Sequence, residues 1–572
     1  MGDGTDQGDV TSENQAVQAE IVADANEPAA TGERYQSPFP SPPPPSGAEP
    51  PKEKLPADEL SVTWRELLAV LLMVVLADLA IYRSDGYAGY ALFFALSPVL
   101  LLFGSPRRVL SGWLLITGLM LLVLAGRLVW CGSGLQIGCG LFVLAAFSMA
   151  MAGMRPFVLE LIIYASQTFL AGYEGLATYR RTADRLSPIR GPSSWLNYGL
   201  PLVALLAFGT IFIVANPDLL AWVNESLRSL ATSLRQWIYD LVPDWQEALF
   251  WAAVFWLTIG LLRPVAGPML AKLAASIERP TDEPAGAADA PLYVPFRNTL
   301  LTVIGLFAVY LVFEFRTLWF REFPTGFYYS GYAHEGAAWL TVALALATVV
   351  LSLIFRGTVL RDARLPRLRR MAWLWSFENL LLAAAVYHRM LIYIHFNGMT
   401  WMRTVGFFGM TCVVVGFGLV VWKIVQNRSF AWLLRHHLLA LALCVYLFAL
   451  TPVDALVHRY NVRRIMSGDS APSVQISVHP ISAEGVPVLL PLAECPDEIV
   501  REGILAMLAD RRDEARRNAR ANEQKGWTTY QGAERVLLEL LDEHQSKWSK
   551  YADVQQRRAA LARFHDYAYQ WY

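Results

Sequence analysis

Apolar residues come in long blocks along this chain, and charged residues gather between the blocks. A bilayer-spanning helix needs about 20 mostly apolar residues. Eleven blocks of that kind are read near 63–82, 88–105, 109–130, 134–154, 196–215, 247–264, 296–315, 336–355, 371–391, 402–424 and 432–452. Each predicts a transmembrane helix. Two further stretches differ. Residues 156–176 are apolar but hold Pro156 and Glu160, and Arg180, Arg181, Arg185 and Arg190 follow. Residues 218–241 alternate apolar and polar positions at helical spacing. Both predict amphipathic helices lying in the membrane interface.

The remaining segments are polar. Residues 1–60 hold twelve acidic residues, three basic residues and ten prolines. Such a segment buries too little apolar surface to offset its ordering entropy, so a disordered tail is expected. Residues 265–294 read as a connector. Residues 61–455 form the transmembrane region, and residues 456–572 read as a small helical extramembrane domain. In that domain Ser473 to Val478 alternates like a short strand. Val536, Leu537, Leu540 and Leu541 keep helical spacing, and Trp527 and Trp548 are expected in the core. The fold class is therefore all-α: a polytopic helical membrane protein of about eleven spans with a helical C-terminal domain.

Charge orients the bundle. Lys and Arg favour cytoplasmic loops. Arg356, Arg361, Arg364, Arg367, Arg369 and Arg370 follow the eighth block, and Lys423, Arg428 and Arg435 follow or begin later ones. This places the N-terminal tail inside and the C-terminal domain outside. Hydrophobic residues make up 55% and charged residues 17%. A soluble chain carries about 25% charged residues, so a soluble enzyme is excluded. A net charge of −1 gives no pull toward nucleic acid. The five cysteines contain no CxxC pair, and zinc ligation lacks its usual spacing. No HExxH, GxSxG or phosphate-binding loop is present. No catalytic residue, metal or cofactor is assigned.

Ionisable groups at membrane depth are costly and face the bundle interior. Two readings are open for Asp78 and Arg127: they pair across the bundle, or Asp78, about four residues from its span end, reaches the interface. A richer set gathers toward the outer ends of blocks seven to ten. It comprises Glu314, His334, Glu335, Arg389, Tyr393, Thr400 and Arg403, with Arg459 and Asn461 as links to the C-terminal domain. Glu378 and Arg389 share a helix face but stand about three turns apart, so each needs its own partner. Two readings are open. The cluster is a water-accessible pocket for an ion, proton or anionic head group, or it is a set of structural ion pairs closing the helix ends.

Four stretches carry a family resemblance. They are Gly199-Leu200-Pro201 with Ala215-Asn216-Pro217-Asp218; Tyr332-Ala333-His334-Glu335-Gly336; Arg389 to Tyr393 with Gly398-Met399-Thr400 and Arg403; and Arg459-Tyr460-Asn461-Val462. Over roughly 195–465 the chain resembles an uncharacterised bacterial multi-pass membrane family, domain of unknown function 4173, and its relative 4153. His334 and Ala337 stand where that family usually has Arg and Phe. The resemblance implies a bacterial inner-membrane protein and brings no reaction. Function is read first as a non-enzymatic sensor or scaffold. A transporter using the cluster around Glu335 and Arg389 comes second, and a transferase on a lipid-linked substrate third. Expected partners are the lipid bilayer and a protein bound by the C-terminal domain or the acidic tail.

Overall fold

The structure is a computed structural model. It describes residues 62–106, 110–186, 244–263, 272, 275–276, 290–319, 329–355, 359–360, 362–426 and 428–571. For residues 181–186, 318–319, 329–335 and 337 it describes the backbone alone. The tail 1–60, the block 196–215, the stretch 218–241 and most of the connector 265–294 lie outside the described residues. Among the described residues every regular element is helical.

Six helices form the first half. They are α1 (Trp64–Ala77), extended by a π turn Asp78–Tyr82, α2 (Tyr87–Gly104), α3 (Gly112–Cys131), α4 (Gly134–Met151), α5 (Val158–Leu186) and α6 (Trp245–Leu262). The second half holds α7 (Tyr293–Glu314), α8 (Tyr329–Ile354), α9 (Leu365–Asn397), α10 (Trp401–Gln426) and α11 (Phe430–Leu450). The C-terminal helices, termed the C-terminal domain below, are α12 (Val453–Met466), α13 (Ser473–Val478), α14 (Glu498–Lys525), α15 (Gly532–Glu543) and α16 (Val554–Tyr569), and they pack with the bundle in one compact unit, Ser61–Tyr572. Local chemistry starts several of them. Ser111 and Ser429 accept the backbone N–H of Leu114 and Trp432 at 3.2 and 3.1 Å, each satisfying an amide that the first helical turn leaves open.

Among the described residues seven helices, α2, α3, α4, α6, α7, α10 and α11, are long and apolar enough to cross a membrane. Their outward faces carry exposed leucine and valine, such as Leu115, Leu119, Leu122 and Val309. The chain is an all-α polytopic membrane protein. The sequence predicts more spans than these seven. In α1 the α-helical part has only 14 residues. In α9 the apolar run is interrupted by Arg367, Arg369, Arg370, Glu378 and Arg389.

The helix ends fall on two faces, and the C-terminal domain docks on one. Arg127, near the end of α3, makes a two-pronged pair with Glu484 of the domain at 2.6 and 2.7 Å. Gln531 donates to the Leu128 carbonyl at 2.9 Å and accepts from Gly132 N–H at 2.5 Å, closing the end of α3. Gln136, at the start of α4, donates to the Ala449 carbonyl near the end of α11 at 3.0 Å. The reading that pairs Asp78 with Arg127 across the bundle is thereby overturned. Asp78 instead pairs with Arg83 at 3.0 Å and accepts from the Trp251 indole at 2.8 Å.

At the opposite face Glu66, in the first turn of α1, receives Arg263 at 2.5 and 2.8 Å and the Tyr179 hydroxyl at 2.7 Å. Glu160 pairs with Arg435 of α11 at 2.7 Å, both buried, and Arg435 lies 3.8 Å over the Phe157 ring. Glu160 and Tyr179 both belong to α5. About 28 Å of helix separates them at 1.5 Å per residue, yet both meet helix ends on this one face.

Two expectations for the domain are corrected. Ser473–Val478 is a helix, and Ser473, Val474, Gln475 and Ile476 are all buried. Burial on every side removes the two-sided environment that alternation implies. Trp548 is buried in the core, but Trp527 is 58% exposed. Trp527 opens a short 3₁₀ turn after α14, beyond the face of α14 that packs on α16. The core itself joins Val500, Ile504 and Leu508 of α14 to Phe564 and Ala568 of α16.

Candidate functional site

Arg389 of α9 reaches across to the end of α7. Its Nε and Nη2 donate to the two carboxylate oxygens of Glu314 at 2.7 and 2.6 Å. The Tyr310 hydroxyl donates to Glu314 Oε2 at 3.0 Å. Both charged side chains are buried. Two-pronged charge-assisted bonds of this kind are among the strongest side-chain contacts. Gly336 of α8 faces the pair: a Cβ there would stand 2.5 Å from Arg389 Nη1, so a larger residue would require the guanidinium to shift. His334 and Glu335 lie in the same helix, but their side chains lie outside the described atoms.

About two and a half turns further along, α9 ends at Gly398, whose φ of +78° is a left-handed conformation that favours glycine. The following connector is held by the C-terminal domain. Asn461 of α12 accepts from Met399 N–H at 2.7 Å and donates to the Met399 carbonyl at 2.8 Å. Gln475 donates to the Asn397 carbonyl at 2.9 Å, and Arg464 donates to the Ile394 carbonyl at 2.9 Å. Thr400 accepts from Arg403 N–H at 3.2 Å and so opens α10. The Arg403 guanidinium lies 3.8 Å over the Tyr393 ring and donates to the Gly398 carbonyl. Arg459 is exposed and stands apart from these contacts.

A cavity of about 1020 Å³ lies beside these contacts, at the seam between bundle and domain. Tyr393, Thr400 and Arg403 line it; Glu314 and Arg389 do not. Ala338 and Thr341 of α8 close one side, and Asp454, His458, Gln475 and His479 of the domain close another. Among the described residues, three polar atoms of its lining residues have no hydrogen-bond partner, Arg403 Nε, His458 Nδ1 and Asn397 Oδ1, and each is closed off from the cavity space by its neighbours.

Charge at the domain wall is arranged unevenly. Burial pushes the His458 imidazole down to about 4, and His479 adds to the fall while Asp454 opposes it. His458 is therefore neutral at physiological pH. Asp454 accepts from Ser482 N–H at 2.9 Å. Arg403 is the cation of the site.

Sequence reasoning reached Arg403, Tyr393, Thr400 and Asn461 but missed His458, Asp454, Gln475 and His479. One signal was available for two of these. Asp454, Val457, His458 and Asn461 fall at the i, i+3, i+4 and i+7 positions of one helix face, the face that meets the cavity. Arg459, which sequence reasoning selected, falls on the other face.

Comparison with known families bears on the whole of this region. The family described as a domain of unknown function, DUF4153, matches residues 71–492. The chain belongs to that family. The DUF4153 match extends beyond the 195–465 resemblance at both ends. It takes in the second half of α1, all of α2 to α13, and every residue of the cavity lining, and it stops before α14. Neither curated proteins nor solved structures gave a match to the chain.

Proposed function

We propose that this DUF4153 protein is a non-enzymatic sensor or scaffold of the bacterial cytoplasmic membrane, whose helical C-terminal domain responds to a ligand held in the seam cavity. One observation carries this reading. Arg403 comes from the bundle and His458 from the domain, and both of these buried side chains line the same cavity. A ligand that touches both ties the two bodies together. A partner protein bound by the domain, or by the acidic tail, is the natural recipient of that change.

In this reading the domain lies outside. The face opposite the domain carries Arg367, Arg369, Arg370 and Lys423, which favours the cytoplasm on that side. The meeting of Glu160 and Tyr179 with helix ends on that same face supports α5 as an interfacial helix. The span expected at 196–215 lies outside the described residues, and the expected count of eleven belongs to this same reading. The likeness to the 4173 family and the inner-membrane location belong to the same reading.

Transport is the second reading. Glu378 favours it: the side chain is buried in the middle of α9, and its Oε2 has no hydrogen-bond partner. Intramembrane carboxylates of this kind mark ion or proton paths. Against a path through Arg389 stands the closed pair with Glu314. A transferase on a lipid-linked substrate ranks third, because no acidic motif accompanies the arginines.

Hydrogen exchange tests the first reading. Full-length protein stripped of lipid is compared with protein reconstituted in its host's lipid extract. Slower exchange across α12 and residues 476–486 is expected with the extract. Unchanged exchange throughout the C-terminal domain would contradict the reading.

A further inference from the structure

The seam cavity has two chemically different ends. Its polar end is lined by Arg403, only 7% exposed, and by the buried His458. Its other end runs along α10 past Val405, Gly406, Gly409 and Met410. From Arg403 to Met410 is about 10 Å along the helix axis at 1.5 Å per residue, so this end lies at bilayer depth. The wall there is apolar. A Cβ built on Gly409 meets nothing within 4 Å, and one on Gly406 meets only the Met390 methyl at 3.1 Å. Gly409 therefore faces open space, while Gly406 lets the Met390 methyl of α9 come close, and the wall between them is a shallow groove. The mouth is flanked by Trp401 and Met402, both at least half exposed on the outer surface of the bundle.

A free anion would occupy only the polar end. Water in the apolar end would lack the two to four polar partners that hold it in place. One occupant satisfies both: an amphiphile with an anionic head and an apolar chain. The cavity, at about 1020 Å³, is at the top of the range for small-molecule sites, roughly 300–1,000 Å³, and leaves room for a chain. Asp454 also faces the cavity, but Ser482 N–H engages it, and the arginine remains to receive a negative group.

We propose that the occupant is an anionic membrane lipid that enters from the bilayer, with its head on Arg403 and His458 and a chain along Gly406 and Gly409. This rests on the seam cavity being a binding site, as argued above.

The test uses full-length protein in a mild detergent, with bound molecules counted by native mass spectrometry. Dioctanoyl phosphatidylglycerol, dioctanoyl phosphatidylcholine and inorganic phosphate are titrated separately. Saturable binding of phosphatidylglycerol, weakened at least about tenfold by Arg403→Gln through loss of a charge-assisted contact, is expected. Gly409→Leu should weaken it similarly, because the new side chain fills the groove. That variant enters open space and keeps the test valid should Arg403→Gln fail to fold. Equal binding of phosphatidylcholine, or binding untouched by Gly409→Leu, overturns the proposal. Phosphate binding as tightly as phosphatidylglycerol also overturns it, since a chain then contributes nothing. Absence of all three bound species overturns the lipid assignment, while slowed exchange in the domain with host extract would leave the seam reading standing.

Discussion

The side-chain amide of Asn461 makes both backbone hydrogen bonds of Met399, 62 positions earlier in the chain. Through this contact a helix of the C-terminal domain fixes the connector between two helices of the bundle. The same connector supplies Gly398, whose carbonyl receives Arg403. The domain therefore sets the position of the cavity's cation.

Asn461→Asp should break half of this contact. The carboxylate still accepts from Met399 N–H but cannot donate to the Met399 carbonyl. A buried unsatisfied group costs about 1–3 kcal/mol. The expected result is a lowered melting temperature with faster proteolysis in residues 397–402. Asn461→Ala should cost at least as much.

The Glu314–Arg389 pair predicts a strongly non-additive cycle. Removing one partner of a buried pair leaves the other uncompensated and costs about 3–5 kcal/mol. Arg389→Met and Glu314→Leu should each be severe, and the double variant should recover most of the loss. Thermal melts of the four proteins measure the coupling directly. Additive losses would mean that the two side chains act separately.

His458 predicts an acid-sensitive seam. Its imidazole is held neutral, with a folded value of about 4 against 6.5 when free. The unfolded chain takes up a proton first as pH falls, so the stability is complete above 6.5. It is lost progressively from 6.5 down to about 4. The shift corresponds to roughly 3 kcal/mol at most. Melting temperature against pH should fall over that window, and His458→Asn should flatten the fall.

Glu378 separates the two leading functions. Glu378→Gln removes a buried group that can ionise, and stability should be unchanged or rise by up to about 2 kcal/mol. In reconstituted vesicles the sensor reading predicts no ion flux in either protein. A flux in the native chain that vanishes in Glu378→Gln would establish transport.

The membrane helices were legible because hydropathy acts locally. The blocks 88–105, 247–264 and 432–452 coincide with α2, α6 and α11 to within two residues. Contacts between distant segments were not legible. Arg127 was matched to Asp78 because both lie in apolar spans, yet its partner Glu484 sits 357 positions away in the domain. Six residues of alternation were too few to separate strand from helix at Ser473–Val478. The candidate site was half readable. Its bundle wall, from Tyr393 to Arg403, stood out as polar residues at a span end. Its domain wall did not, because His458 looks ordinary until α12 is turned so that Asn461 faces Met399.

The most direct test of the central claim, an outward-facing seam between bundle and domain, is sided cysteine labelling. The five native cysteines are replaced, and single cysteines are placed by His479→Cys at the cavity rim, Glu539→Cys on α15 and Arg370→Cys on the opposite face. Intact spheroplasts are treated with a membrane-impermeant maleimide, before and after lysis. The account predicts labelling of the first two in intact cells and of Arg370→Cys only after lysis. Labelling of Arg370→Cys in intact cells, with the other two reacting only after lysis, would put the domain and its cavity in the cytoplasm and contradict the account.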